Sequence, residues 1–322
     1  MTPVTTSDAD DAPTAPAGVA PNSIDGTAHG ARRRWWRVAG SVVGCALVAL
    51  AVGVAFSRAP MAETIAALAQ PDRATARHLV ILAAATLGGI VLSGEILLRL
   101  TRRFGDVGRG EMLALVAAST LLNYLPLRPG LLGRVVWHRV VNGIPSLAIA
   151  RTVVEATAIT VVAVAALVVS LMSCAWLALP WSLALVLPMI GPALCAVHPR
   201  WRVYAVPAAL RHIEIVLWAV RLHAAFALVG VDLAPTAALG LTAAAVSASM
   251  IPIVGNGLGV REWTVGLLSP VLADVDLAVG ISADLIGRAI EIGIIVPVGL
   301  VAIAWLARRR RTVFGRSLTP SE

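Results

Sequence analysis

N-Y-L-P-L-R-P-G-L-L-G-R (Asn123 to Arg134) and I-P-I-V-G-N-G-L-G-V-R-E (Ile251 to Glu262) interrupt long apolar stretches of the chain. Each follows an apolar run, breaks it with proline and glycine, and then presents an arginine. A charge surrounded by lipid is costly and needs a partner or a task. Non-helical backbone at membrane depth must be covered by protein or must line a wet cavity. The fold therefore turns on how these two stretches sit among the runs around them.

Of the 322 residues, 58% are hydrophobic and only 14% charged, against about 25% charged in a soluble domain. Several runs approach or exceed the roughly 20 residues that cross a bilayer as helix. A membrane β-barrel alternates over strands of about ten residues, whereas these runs are continuous and rich in Ala, Leu and Val. The composition predicts an all-α polytopic membrane protein.

The net charge of +8 comes from 26 basic residues, all arginine. They gather at the ends of apolar runs, as in Arg32 to Arg37 and Arg308 to Arg311. That is the pattern of cytoplasmic membrane flanks, not of a nucleic-acid surface, and no nucleic-acid partner is expected. Cys45, Cys174 and Cys195 lie in or beside apolar runs without ligand spacing and read as small buried hydrophobes. Residues 1–34 begin acidic and rich in Pro, Ala, Thr and Ser, then turn basic, which reads as a disordered cytoplasmic tail. The membrane domain is placed at 35–311 and a short cytoplasmic tail at 312–322.

Eight hydrophobic segments follow: Val38–Phe56, Leu79–Leu98, Met112–Leu125, Val153–Met172, Trp176–Val197, Pro207–Gly230, Thr236–Ile253 and Val279–Leu306. The fifth carries Pro180, Pro188 and Pro192, which bend or break a helix. If all eight crossed fully, the basic loop His198 to Arg202 would face outward, against the charge bias. A better count has about six full spans and two re-entrant hairpins entered from opposite sides, at Asn123–Pro129 and after Ile253. That is an inverted repeat, a common transporter plan. Arg151 with Glu155 after the first hairpin and Arg288 with Glu291 after the second echo it, each pair sharing a helix face. Both termini are then cytoplasmic, in a bacterial inner membrane.

Arg128, Arg134, Arg261 and Arg288 are the candidates for a lipid headgroup, because a guanidinium fork matches a phosphate. Helices starting after Gly130 or Gly257 would aim free amides at the same anion. In the alternative reading these arginines pair with Glu155, Glu262, Asp284 and Glu291 and hold the bundle together. Asn123 and Asn256 stand beside the chain breaks, as substrate contacts or as turn and cap residues. Tyr124 and Trp263 either line the cavity or face lipid. His138, His212 and His223 make no metal pattern, and no P-loop, dinucleotide fingerprint or nucleophile elbow is present. No metal, cofactor or enzymatic activity is expected. Ser93 and Ser119 read as helix-packing residues, and most tryptophans as an aromatic belt.

The pattern Asn123, Pro126, Arg128, Gly130, Arg134 resembles the first signature of the flippase-like membrane domain family, also called the lysylphosphatidylglycerol synthase transmembrane region. N-G-L-G-V-R-E at Asn256 to Glu262 resembles its second. The resemblance covers about residues 35 to 310 and implies a protein that moves or handles a lipid headgroup. Full synthases of that family carry a soluble aminoacyl-transfer domain. Only 11 residues follow Arg311 here, so no such domain, and no synthase activity, is expected. Leu127 stands where the family often has glycine, Leu131 where an acid is common, and Trp263 where a small residue is frequent. Without the acid at 131, a plain anionic phospholipid or a lipid-linked saccharide fits as well as an aminoacylated headgroup.

Three functions are consistent with these residues. The first is a lipid flippase or transporter with a polar cavity between the hairpins. The second is a non-transporting partner of a glycosyltransferase or other envelope enzyme, with internally paired arginines. The third is a membrane-embedded transferase using Glu155, Glu262 or Glu291 as acid or base. Membrane lipids are the expected partners, and a homodimer is an open alternative.

Overall fold

The computed structural model describes residues 25–58, 61–125, 129–250 and 255–316, with side chains within 42–58, 64–125, 129–250 and 256–310. Arg128, with Pro126 and Leu127, and the stretch 251–254 lie outside the described residues, as do 1–24 and 317–322. The described secondary structure is entirely helical. In chain order the α-helices are α1 (Asp25–Arg58), α2 (Met61–Ala69), α3 (Arg73–Thr101), α4 (Arg109–Leu122), α5 (Pro129–Val140) and α6 (Ser146–Trp176). Then come α7 (Leu183–Val186), α8 (Ile190–Val197), α9 (Arg202–Leu228), α10 (Pro235–Ser249), α11 (Val260–Ala273) and α12 (Leu277–Arg316). The tail expected over 1–34 is helical from Asp25 onward, as the start of α1.

Among the described residues, four helices are long and apolar enough to span a membrane: α3, α6, α9, and α12 as far as Arg310. At 29 residues, α3 extends about 43 Å, enough for a hydrocarbon core of about 30 Å. The fifth apolar run is not one helix. After the turn at 177–182 it is divided into α7, a short 3-10 segment (Leu187–Met189) and α8. Pro188 sits inside that segment and Pro192 inside α8, and each removes a backbone donor.

The two interrupted runs form short helices. α4 and α10 have 14 and 15 residues, and α5 and α11 have 12 and 14, all below the roughly 20 that span a bilayer. α4 packs on α5 and α10 on α11.

Arginine is in excess at one end of the long helices, although Arg58, Arg73 and Arg77 stand at the other. Arg103, Arg151, Arg202 and Arg309 lie at one end of α3, α6, α9 and α12. Asp72, Asp232 and Asp276 lie at the other ends of α3, α9 and α12, and Asp274 caps α11 beside them. At the basic end Glu111 of α4 accepts from Trp137 Nε1 (2.8 Å) and Asn142 Nδ2 (2.9 Å) and pairs with Arg309 (2.8 Å). That clasp ties the start of α4 to the end of α5 and to α12. Leu98, Met112, Leu115, Ile144 and Leu306 pack beneath it. A second core, with Phe226, Leu233, Leu241 and Val265, ties α9, α10 and α11 together toward the acidic end.

Small residues allow the close crossings, which in lipid depend on packing and not on a hydrophobic drive. α3 and α9 make the most extensive contact in the bundle, and a β-carbon on Gly88 would stand 2.9 Å from Leu217 Cδ2. Where α11 meets α12, a β-carbon on Gly266 would stand 2.4 Å from Ile281 Cγ1, and one on Gly280 2.2 Å from Ser269 Oγ.

Candidate functional site

The two chain breaks meet at one cavity. It has a volume of about 170 Å³ and is bordered by Asn123 after α4 and by Asn256 ahead of α11, with Ser93, Glu214, Arg221 and Arg261 among its walls. The first break is held by a close helix contact: Ser119 Oγ donates to the Gly130 carbonyl at 3.0 Å. A β-carbon on Gly130 would come within 2.2 Å of the Ser119 carbonyl oxygen. Asn123 is the C-cap of α4, and its Oδ1 is enclosed without a hydrogen-bond partner among the described residues. Thr86 Oγ1, on the α3 wall, is in the same condition. In the second break Asn256 adopts φ 49°, ψ 29° and Gly257 and Gly259 have positive φ. This left-handed backbone turns the chain into α11 and directs the Asn256 carbonyl at Arg288, whose Nη1 and Nη2 stand 3.4 and 3.3 Å away.

Charge is concentrated beside the cavity. Arg261, in the first turn of α11, donates through Nε (3.1 Å) and Nη2 (2.5 Å) to Asp284 Oδ1 on α12, and its Nη1 lies 3.8 Å from Glu291. Arg221 of α9 contacts the same Glu291 at 3.1 Å. Glu262, fully enclosed, meets Arg288 Nε at 2.7 Å. Three arginines thus face three carboxylates, and the formal charge of this group is zero. Arg211 adds a further pair with Glu214 (2.5 Å), whose other oxygen accepts from Ser93 Oγ (2.5 Å). The rings of Trp218 and Tyr124 lie under Arg221 and Arg288, at 5.6 and 5.9 Å. Removing charges from water carries a cost of several kcal/mol per ion, and only close partners offset it.

Of the residues expected from sequence, Asn123, Asn256, Arg261, Glu262, Asp284, Arg288 and Glu291 come together here. Arg134 and Glu155 do not. Arg134 projects from the middle of α5, half-buried and away from the cavity lining, with its Nε lacking a hydrogen-bond partner among the described residues. Glu155 sits at the basic end, bonded to Arg103, Arg151 and Tyr204. Arg128 is outside the described residues. The echo between Arg151–Glu155 and Arg288–Glu291 holds as an ion pair only for the first (2.9 Å). Arg288 is drawn instead to Glu262, because α11 sets that carboxylate opposite it, while α9 supplies Arg221 to Glu291. Trp263 is not a cavity residue; its Nε1 donates to the Leu47 carbonyl on α1 (3.0 Å).

Arg221, Arg211 and Glu214 were legible only as unusual polarity in the sixth run. Ser93 carried no signal, since an isolated serine in an apolar helix reads as packing. Among the described residues no three His, Cys, Asp or Glu side chains converge as metal ligands. Compared with protein-family models, curated proteins and solved structures, the chain matches none.

Proposed function

We propose that this membrane protein is a lipid transporter of flippase type, which passes a phosphate-bearing headgroup through the centre of its bundle. One observation carries the reading: two separate chain breaks deliver their polar tips, Asn123 and Asn256, to a single polar cavity beside paired arginines. Broken helices meeting at mid-depth around a cavity are the common construction of secondary transporters. Asn123 Oδ1 and Thr86 Oγ1, without partners among the described residues, are acceptors for hydroxyl groups of a headgroup. The resemblance of both breaks to the flippase-like signatures agrees with this reading. The excess of arginine at one end supports reading that end as cytoplasmic, with α4–α5 entering from that side and α10–α11 from the other. The substrate is an anionic phospholipid or a lipid-linked saccharide.

A cavity of about 170 Å³ is smaller than the roughly 300–1,000 Å³ of ordinary ligand sites. In this reading the described arrangement is closed. Opening separates α11 from α12, and the headgroup phosphate takes the place of Asp284 on Arg261. The exchange keeps the guanidinium bonded, and the same separation of helices admits water to the released Asp284 carboxylate, since neither charge can stay buried alone.

The pairing of every arginine in the group also favours the second reading, a structural partner of an envelope enzyme. A vesicle assay separates the two. Protein is reconstituted with fluorescent phosphatidylglycerol, and the outer leaflet is quenched with dithionite. Transport predicts loss of protected fluorescence faster than in protein-free vesicles. It should slow in Thr120→Trp and Asn123→Leu, two residues of α4 and its C-cap that line the cavity, provided both variants remain monodisperse. Wild-type vesicles no faster than protein-free ones, with lipid-linked saccharide tested likewise, would move the assignment to the partner role.

A further inference from the structure

Outside the centre, a second recess lies between α6, the broken α7–α8 segment and the start of α9, with a volume of about 520 Å³. Its α6 wall is an apolar stripe that includes Ala158, Ile159, Val162, Ala166 and Val169, spaced to share one helix face. The facing wall is the proline-broken segment. Gly191 there bears no side chain, and nothing lies within 4 Å of where its β-carbon would stand. From Glu155 to Ser170 the stripe runs about 22 Å, somewhat more than the roughly 15 Å of hydrocarbon in one leaflet.

The basic end of this groove is polar. Glu155 accepts from Arg103, from Arg151 Nε (2.9 Å) and from Tyr204 Oη (3.0 Å). Two guanidiniums therefore share one carboxylate. Arg151 is 64% exposed and reaches Glu155 through Nε. Trp201 and Tyr204 border the same mouth, as aromatic residues do at membrane interfaces. An adjoining cleft adds Arg99, Arg102, Arg109 and Arg202 against Glu95. α9 separates the groove from the centre, with His212 on the groove wall and Glu214 on the central cavity.

We propose that this groove is a separate binding site for one anionic phospholipid, with an acyl chain along α6 and the phosphate against Arg151. Length and apolarity match the chain, and the surplus positive charge at the mouth matches the phosphate. A zwitterionic lipid would leave that surplus uncompensated. The site stands whether or not the central cavity transports.

The test is native mass spectrometry of protein purified in mild detergent with equal phosphatidylglycerol and phosphatidylcholine. Wild type should retain phosphatidylglycerol by about fivefold over phosphatidylcholine, the preference that one uncompensated arginine provides near a membrane surface. Arg151→Gln should bring the ratio near unity. Glu155→Gln, which leaves two arginines unopposed, should raise it, an effect mere loosening of the mouth would not produce. Gly191→Phe, which adds a ring where space is open, should expel the lipid. Millimolar inorganic phosphate should not displace it. Equal retention of both lipids by wild type would overturn the proposal. So would retention unchanged in Gly191→Phe, release by free phosphate, or loss confined to Thr120→Trp, which would place the lipid in the centre. Arg151→Gln and Gly191→Phe alter exposed positions and decide the matter if Glu155→Gln fails to fold.

Discussion

Arg261 and Asp284 illustrate what a buried charge demands. Asp284 is 1% exposed, and among the described residues both hydrogen bonds it accepts come from one guanidinium. Replacing Asp284 by Asn keeps an acceptor oxygen but removes the charge, so that Glu291 at 3.8 Å is the remaining ion-pair partner of Arg261, a change of the kind that costs about 3–5 kcal/mol. The expected result is a marked fall in the temperature at which the purified protein loses monodispersity. The double variant Arg261→Met/Asp284→Leu removes both charges and should recover most of that loss, since apolar replacement of a buried pair is often neutral. Equal stability of Asp284→Asn and wild type would mean that the pair holds nothing together. Such partners could not be assigned from spacing. Arg288 has Glu291 three residues away on its own helix, yet it meets Glu262 on α11.

At the scale of elements, the decisive feature is how tightly the short helices fold back. Gly130 lies against the Ser119 backbone so closely that any β-carbon would collide. Gly133, one turn along α5, has open space. Gly130→Ala should therefore destabilise by about 1–3 kcal/mol, the usual effect of overpacking. Gly133→Ala should be neutral or stabilising by about 0.5–1 kcal/mol, because it only improves helix propensity. Thermal unfolding of the two in the same detergent checks this, and equal melting temperatures would mean that α4 and α5 are not closely packed. The proline and glycine content of the breaks announced that the runs end there. It did not announce that Ser119 would be the surface Gly130 rests on, because that depends on the angle at which α5 returns.

For the whole molecule, the excess of arginine at one end predicts orientation. With Cys45, Cys174 and Cys195 replaced, single cysteines at Asp106 and Arg200 should react with an impermeant thiol reagent only from the cytoplasmic side. Cysteines at Asp232 and Asp274 should react only from the outside. Labelling of Arg200 from outside would refute the arrangement of six crossings and two hairpins, and with it the inverted repeat. Among the described residues, four helices meet the length and apolarity of a span outright. The proposed six-crossing arrangement requires two more, from α1 and from the α7–α8 segment, which its prolines make irregular.

Sequence by itself determined the helical membrane class and the positions of the two breaks. These are local properties: hydrophobic length, proline and glycine chemistry, and the cost of charge in lipid act within one segment. Tertiary structure alone decided that Arg221 and Glu214 join the centre, that Ser93 serves Glu214, and that Arg134 and Glu155 stay apart from it. Those outcomes depend on which faces of α3, α9, α11 and α12 turn toward one another. That rotation is set by close contacts between small residues such as Gly88, Gly266 and Gly280, which have no periodic signature along a chain that is apolar on every face.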